Sequence, residues 1–228
     1  MKIAFSLPGL LAGARDILPF ALGAAMFGLV LGLLAAQKGL SPAEVMVMSA
    51  TVFAGASQMV AAELWTAPLP ALTIVMATLA INARHLLMGM TLTPWLKPLP
   101  RSLSCFSLFF MVDENWGLSV ARLRRGEGDV GYLLGGGLTL YPVWIATTGL
   151  GAIFGGLVVD PRAFAMDFLP LALFLALLLM FWCGRASLLP WGTAFGVALA
   201  AWMFLPAGWH VLLGSLAGSL AGGLRDDA

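Results

Sequence analysis

Charge is what this sequence lacks most. Only 10% of its 228 residues are Asp, Glu, Lys or Arg, while 61% are hydrophobic and the mean hydropathy is +0.96. Soluble domains carry about 25% charged residues. A chain so poor in charge cannot clothe a water-facing surface, and the composition points to an integral membrane protein. A net charge of +1 gives no pointer to nucleic acid. Histidine is almost missing: His85 and His210 are the two present, no H-E-x-x-H pair exists, and Cys105 and Cys183 stand far apart without metal-type spacing. Metalloenzyme chemistry therefore has no ligand set to start from. The two thiols read as buried apolar groups, with a disulfide left open by sequence alone. No nucleotide-binding P-loop occurs, so an ion or substrate gradient is the energy source to expect, and no cofactor is implied.

Apolar runs, by contrast, fill the chain. A spanning helix needs about 20 apolar residues. The candidate stretches are Ile17–Ala36, Val45–Ala62, Leu69–Leu92, Leu103–Ala121, Tyr132–Val159, Phe168–Cys183, Leu188–Leu205 and Trp209–Leu224. The expected fold class is an all-α integral membrane protein, a bundle of about six to eight transmembrane helices, some broken or re-entrant. Residues 1–16 are expected to form an N-terminal interfacial lead-in, because Pro8 breaks the first short apolar run. Residues 17–228 are expected to form a single polytopic domain. Pro68-Leu69-Pro70, Pro98-Leu99-Pro100 and Pro206-Ala207-Gly208 mark joints. With a cytoplasmic N-terminus, Lys2, Arg15, Arg122, Arg124, Arg125, Arg185 and Arg225 fall inside and Lys38, Lys97, Arg101 and Arg162 outside, which favours that orientation. The loop Ala121–Asp129 is then cytoplasmic and solvated, within reach of membrane lipid headgroups. Small pairs at Gly28/Gly32, Gly151/Gly155, Gly214/Gly218 and Gly218/Gly222 predict close helix approach. Trp65, Trp95 and Trp209 near span ends suit an interfacial belt.

Three polar segments interrupt these runs. In FAGASQ, Phe53 to Gln58, Gly55 weakens a helix while Ser57 and Gln58 offer hydrogen-bonding groups. The segment reads either as a broken helix lining a cavity or as a packing groove with Gln58 bonded to a neighbour. In INARHLLMG, Ile81 to Gly89, Thr78, Asn82, His85 and Gly89 share one helical stripe and Arg84 points elsewhere. An arginine in a span needs protein, water or a counter-charge around it, unless it snorkels to a surface or the helix ends there. In MVDENWG, Met111 to Gly117, Asp113 or Glu114 is the natural partner for Arg84, as a static ion pair or as a titrating group.

Together, FAGASQ (53–58), NARHLLMG (82–89) followed by LTP (92–94), and DEN (113–115) resemble the motifs of the AzlC family, the large subunit of bacterial branched-chain amino-acid exporters. The likeness runs from about Asp16 to Leu224, with little motif content in the C-terminal half. It implies a multi-pass protein of the bacterial cytoplasmic membrane that exports valine, leucine, isoleucine or methionine. It also implies a small AzlD-type membrane subunit as partner. Gly55, Ser57, Gln58, Asn82, Arg84, His85, Asp113 and Glu114 are the residues carried over as substrate-binding or coupling candidates.

A zwitterionic substrate needs donors for its carboxylate, acceptors for its ammonium and an apolar pocket. Backbone N–H groups near Gly55–Ser57, with Gln58 and Arg84, suit the first. Asp113 or Glu114 suits the second, or a coupling proton. Other classes are a passive channel or structural membrane subunit, and an intramembrane serine protease using Ser57 and His210. Against the protease stand Gln58, where a second glycine belongs, and the lack of an upstream oxyanion pair.

Overall fold

A computed structural model describes residues 5–127, 129–157, 175, 184–205 and 209–226. Among them the regular elements are helices: α1 (Leu7–Asp16), α2 (Leu18–Gln37), α3 (Pro42–Val52), α4 (Gly55–Glu63), α5 (Ala71–Asn82), α6 (Arg84–Thr91), α7 (Thr93–Leu96), α8 (Arg101–Phe109), α9 (Asp113–Arg124), α10 (Val130–Leu157), a 3-10 turn (Gly184–Ser187), α11 (Leu188–Phe204) and α12 (Trp209–Asp226). The expected span Phe168–Cys183, the joint at Pro206–Gly208 and Arg162 lie outside the described residues. Among the described residues, four helical stretches are long and apolar enough to cross a membrane: Leu18–Gln37, Ala71–Thr91, Val130–Gly155 and Gly184–Phe204. The protein is an all-α membrane protein.

The chain forms two compact units, one of Met1–Gln58 and Arg84–Val159, the other of Met59–Ala83 and Asp160–Ala228. In the first, α10 is the post against which other helices lie. Glycine makes this possible. A Cβ on Gly32 would stand 2.0 Å from Thr148 O, and one on Gly151 would stand 2.2 Å from Leu29 O. The backbones of α2 and α10 are thus in mutual contact, as the Gly28/Gly32 and Gly151/Gly155 pairs forecast. The N-terminal segment is also tied to α10. Ser6 caps α1 and bonds Asp129, the Tyr132 hydroxyl donates to Asp16 at 2.9 Å, and Gly13 lies against the Tyr132 carbonyl. Residues 1–16 were expected at an interface; the helical part, α1, buries its Gly9/Gly13 face.

In the second unit α11 and α12 pack by the same device. Cβ atoms on Gly214 and Gly218 would come within 2.8 Å of Ala198 and Ala194.

Besides Leu69–Leu92, which Ala83 parts into α5 and α6, two expected spans are not continuous helices. Val45–Ala62 is divided into α3 and α4, of 11 and 9 residues, and Leu103–Ala121 into α8 and α9, of 9 and 12 residues. The division of the first was foreshadowed by Gly55, Ser57 and Gln58. In the second, the acid pair does not interrupt a helix but begins one. Asp113 and Glu114 occupy the first turn of α9, where the positive end of the helix dipole favours carboxylates, and Arg122 and Arg124 occupy its last.

Candidate functional site

The first break falls at Phe53–Ala54. Phe53 ends α3 in the left-handed region, φ 38° and ψ 48°, a conformation that a bulky residue adopts only when its surroundings impose it. The imposing group is Gln58. Its Oε1 accepts the Ala54 N–H at 3.3 Å, a donor that an unbroken helix would direct to Ala50, and its Nε2 donates to Ser49 Oγ at 3.1 Å. The same Oε1 accepts from Trp144 Nε1 of α10 at 3.0 Å. Gln58 is 1% exposed, and protein groups occupy both ends of its amide. Ser57 is equally buried, and its hydroxyl donates to Ala54 O at 2.9 Å. Gly55 fits beneath the rings of Trp144 and Phe27, each 2.8 Å from where a Cβ would stand. Buried polar atoms at membrane depth must be paired, and this segment pairs them.

The second break, Phe110–Val112, is organised in the same way. Asn115, 1% exposed, accepts the Val112 N–H at 2.8 Å and donates to Phe110 O at 2.8 Å and to Leu133 O of α10 at 3.0 Å. Gly136 and Gly137 of α10 leave room for it: a Cβ on Gly137 would lie 2.2 Å from Phe110 O. Each interrupted helix therefore restarts on a side-chain amide, from Gln in α4 and Asn in α9.

Asp113, the first residue of α9, receives Arg84, the first residue of α6. Their Nη1–Oδ2 distance is 2.9 Å, with the side chains 38% and 30% exposed. Nε of Arg84 is buried and has no hydrogen-bond acceptor among the described residues. A second tie holds the same two helices together. Trp116 Nε1 donates to Thr91 Oγ1 at 2.8 Å and to Met88 O at 3.2 Å. Glu114 and His85 are half-buried. Asn82 closes α5 in the second unit, so the stripe drawn from Thr78 through Asn82 to Gly89 is divided between α5 and α6. His210 lies in the first turn of α12, also in the second unit.

The two breaks adjoin one another on α10. Tyr141 presents one ring edge-on to Phe53 at 5.2 Å and to Phe110 at 5.1 Å, and its hydroxyl donates to Ala50 O at 2.8 Å. The site candidates of the first unit fall into two sets, Gly55, Ser57 and Gln58 at the first break and Arg84 with Asp113 and Glu114 at the second, with His85 next to Arg84 on α6. Asn115 was read from sequence as part of DEN but not as a site residue, and Tyr141 and Trp144 were not singled out. Asn115 had a readable signal, an amide in the first turn of a helix that opens with two acids. Tyr141 and Trp144 had none, since they sit in an apolar run.

The family profile described as AzlC protein matches residues 19–158, which include both breaks and the Arg84–Asp113 pair. The inner membrane protein YgaZ of Escherichia coli (strain K12) is 28% identical over 182 residues, covering 77% of this chain and 74% of that protein. An uncharacterized membrane protein of Archaeoglobus fulgidus is 33% identical over 150 residues, covering 65% of this chain and 64% of that protein. The branched-chain amino acid transport protein AzlC of Bacillus subtilis (strain 168) is 24% identical over 185 residues, covering 81% and 72%. No solved structure matches.

Proposed function

The chain belongs to the AzlC family, and from that premise we propose that it is a secondary exporter of apolar amino acids across the bacterial cytoplasmic membrane. Valine, leucine, isoleucine and methionine are the substrates in view. It works as the large subunit beside a small AzlD-type membrane partner. The observation that carries the reading is the Arg84–Asp113 pair: opposite charges 2.9 Å apart, each about one-third exposed, in a chain of which only 10% is charged. The pair compensates itself when empty. A zwitterion placed against it replaces like for like, its carboxylate meeting the guanidinium edge that contains Nε and its ammonium meeting Asp113. The names of the distant relatives, a branched-chain amino acid transport protein and an inner membrane protein, support the substrate class and the location.

In this reading Arg84 and Asp113 touch the substrate, and Glu114 beside them takes a coupling proton. Gly55 and Ser57 place the first turn of α4, whose N–H groups add partial positive charge. Gln58 is a positioning group, since its amide is bonded to Ala54, Ser49 and Trp144. Asn82 and His85 flank Arg84 in sequence and are assigned to substrate or proton contact. The N-terminus is cytoplasmic, and residues 17–228 act as one transport domain with residues 1–16 as its lead-in.

The test is valine counterflow in proteoliposomes containing this chain and its small partner. Saturable, trans-stimulated uptake separates a carrier from a pore. Arg84→Ala and Asp113→Asn are expected to lower the rate by at least about tenfold, the scale of losing one charge-assisted contact. Variants that insert normally and transport at the wild-type rate would overturn this assignment of residues.

A further inference from the structure

The two breaks are linked by one side chain. In an unbroken helix Ala50 O would accept the Ala54 N–H, but that N–H is held by Gln58 Oε1. The carbonyl left over accepts the hydroxyl of Tyr141. One turn further along α10, Trp144 Nε1 donates to the same Gln58 oxygen that holds Ala54. Helix α10 thus supports both halves of the exchange that keeps α3 and α4 apart. If Ala54 N–H returned to Ala50 O, the Tyr141 hydroxyl would share that carbonyl with it and Phe53 would leave the left-handed region. The Ala54 N–H accordingly has two alternative acceptors, Gln58 Oε1 in the open break seen here and Ala50 O in a zipped one.

The Tyr141 ring carries that choice outward. It stands at 88° to Phe53, the residue that breaks α3, and at 83° to Phe110, the residue that closes α8. Phe110 in turn packs edge-on against Phe109 and Phe106 of α8, and its carbonyl is held by Asn115. Packed aromatic groups transmit a displacement because the interior leaves them no slack.

We propose that Tyr141 is the positioning residue that couples the two helix breaks, so that opening or zipping at Phe53–Ala54 moves Phe110 and the start of α9 that bears Asp113. The proposal rests on reading the breaks as the transport site, yet it has a readout that does not require transport. In a Cys105→Ser, Cys183→Ser background, single cysteines are placed at the first break (Ala56→Cys) or the second (Met111→Cys). Their maleimide labelling rates are then measured in native membranes.

Tyr141→Phe keeps the ring and removes only the hydroxyl bond to Ala50. It is expected to change labelling by about fivefold at both positions, the equilibrium factor carried by one ordinary hydrogen bond. Phe110→Leu removes the ring contact on the far side and leaves the Ala50 bond in place. By reciprocity of coupling it is expected to change labelling at Ala56→Cys as well. A response to Tyr141→Phe at position 56 alone, or at neither position, overturns the proposal, and so does an unmoved Ala56→Cys in Phe110→Leu. Both labelling changes in a protein that moves no valine would sustain the coupling and overturn the transport reading instead.

Discussion

The two interrupted helices solve one problem with different means. Both restart on a buried amide that accepts the N–H of the residue before the helix and donates back to the preceding segment. In α9 the amide is nearly self-sufficient: Asn115 alone holds Val112 N–H and Phe110 O, and reaches Leu133 O besides. In α4 the amide needs help, because Trp144 supports Gln58 and Tyr141 supports Ala50. The charges divide in the same way. The self-held break carries Asp113 and Glu114, whereas the assisted break is uncharged. A break that must hold a carboxylate in register is built rigidly, and one that depends on a neighbouring helix can respond to it.

The sharpest test of that contrast removes each amide in turn. Asn115→Leu removes the partner of Val112 N–H and Phe110 O, while Leu133 O stays within the α10 ladder, and is expected to cost about 3 kcal/mol. Gln58→Leu lets Ala54 N–H return to Ala50, so its cost is expected nearer 1–2 kcal/mol, roughly the value of the remaining unpaired groups. Melting temperatures in detergent should fall in that order, and equal losses would erase the distinction. Next in size is steric contact. Gly137→Ala places a methyl 2.2 Å from a backbone oxygen of the self-held break and is expected to cost about 1–3 kcal/mol. Gly55→Ala meets ring edges at 2.8 Å, which can rotate, and the expected loss is about 1 kcal/mol or less. The smallest effect has the opposite sign. Gly117→Ala, exposed within α9 and facing open space, is expected to stabilise by about 0.5–1 kcal/mol through helix propensity alone. A loss there would mean that α9 is less freely exposed than its surroundings indicate.

Much of the frame was legible in the sequence because lipid leaves the chain few options. Long apolar runs became helices, and the Gly28/Gly32, Gly151/Gly155 and Gly214/Gly218 spacings became close contacts. The pairing of Arg84 with Asp113 or Glu114 was legible for a similar reason, since an apolar chain offers a charge few partners; the structure selects Asp113. Reading went astray where one pattern had two meanings. DEN inside an apolar run reads as an interruption when hydropathy is averaged, yet acids followed by an amide are also a helix start. The stripe through Thr78, Asn82, His85 and Gly89 crosses a one-residue parting at Ala83 between α5 and α6, and a helix end near Arg84 was among the readings the sequence left open. Tyr141 was beyond reach: its role depends on which residues the fold brings to it, and no local pattern encodes that.

The glycine contacts between α2 and α10 have a consequence for measurement. Backbones packed this closely at Thr148 O and Leu29 O leave little room for relative movement, so this pair offers a gauge bar within the first unit. Probes placed on α2 and α10 are expected to keep one separation, and displacements of α4 or α9 can be read against it as a surveyor reads against a benchmark.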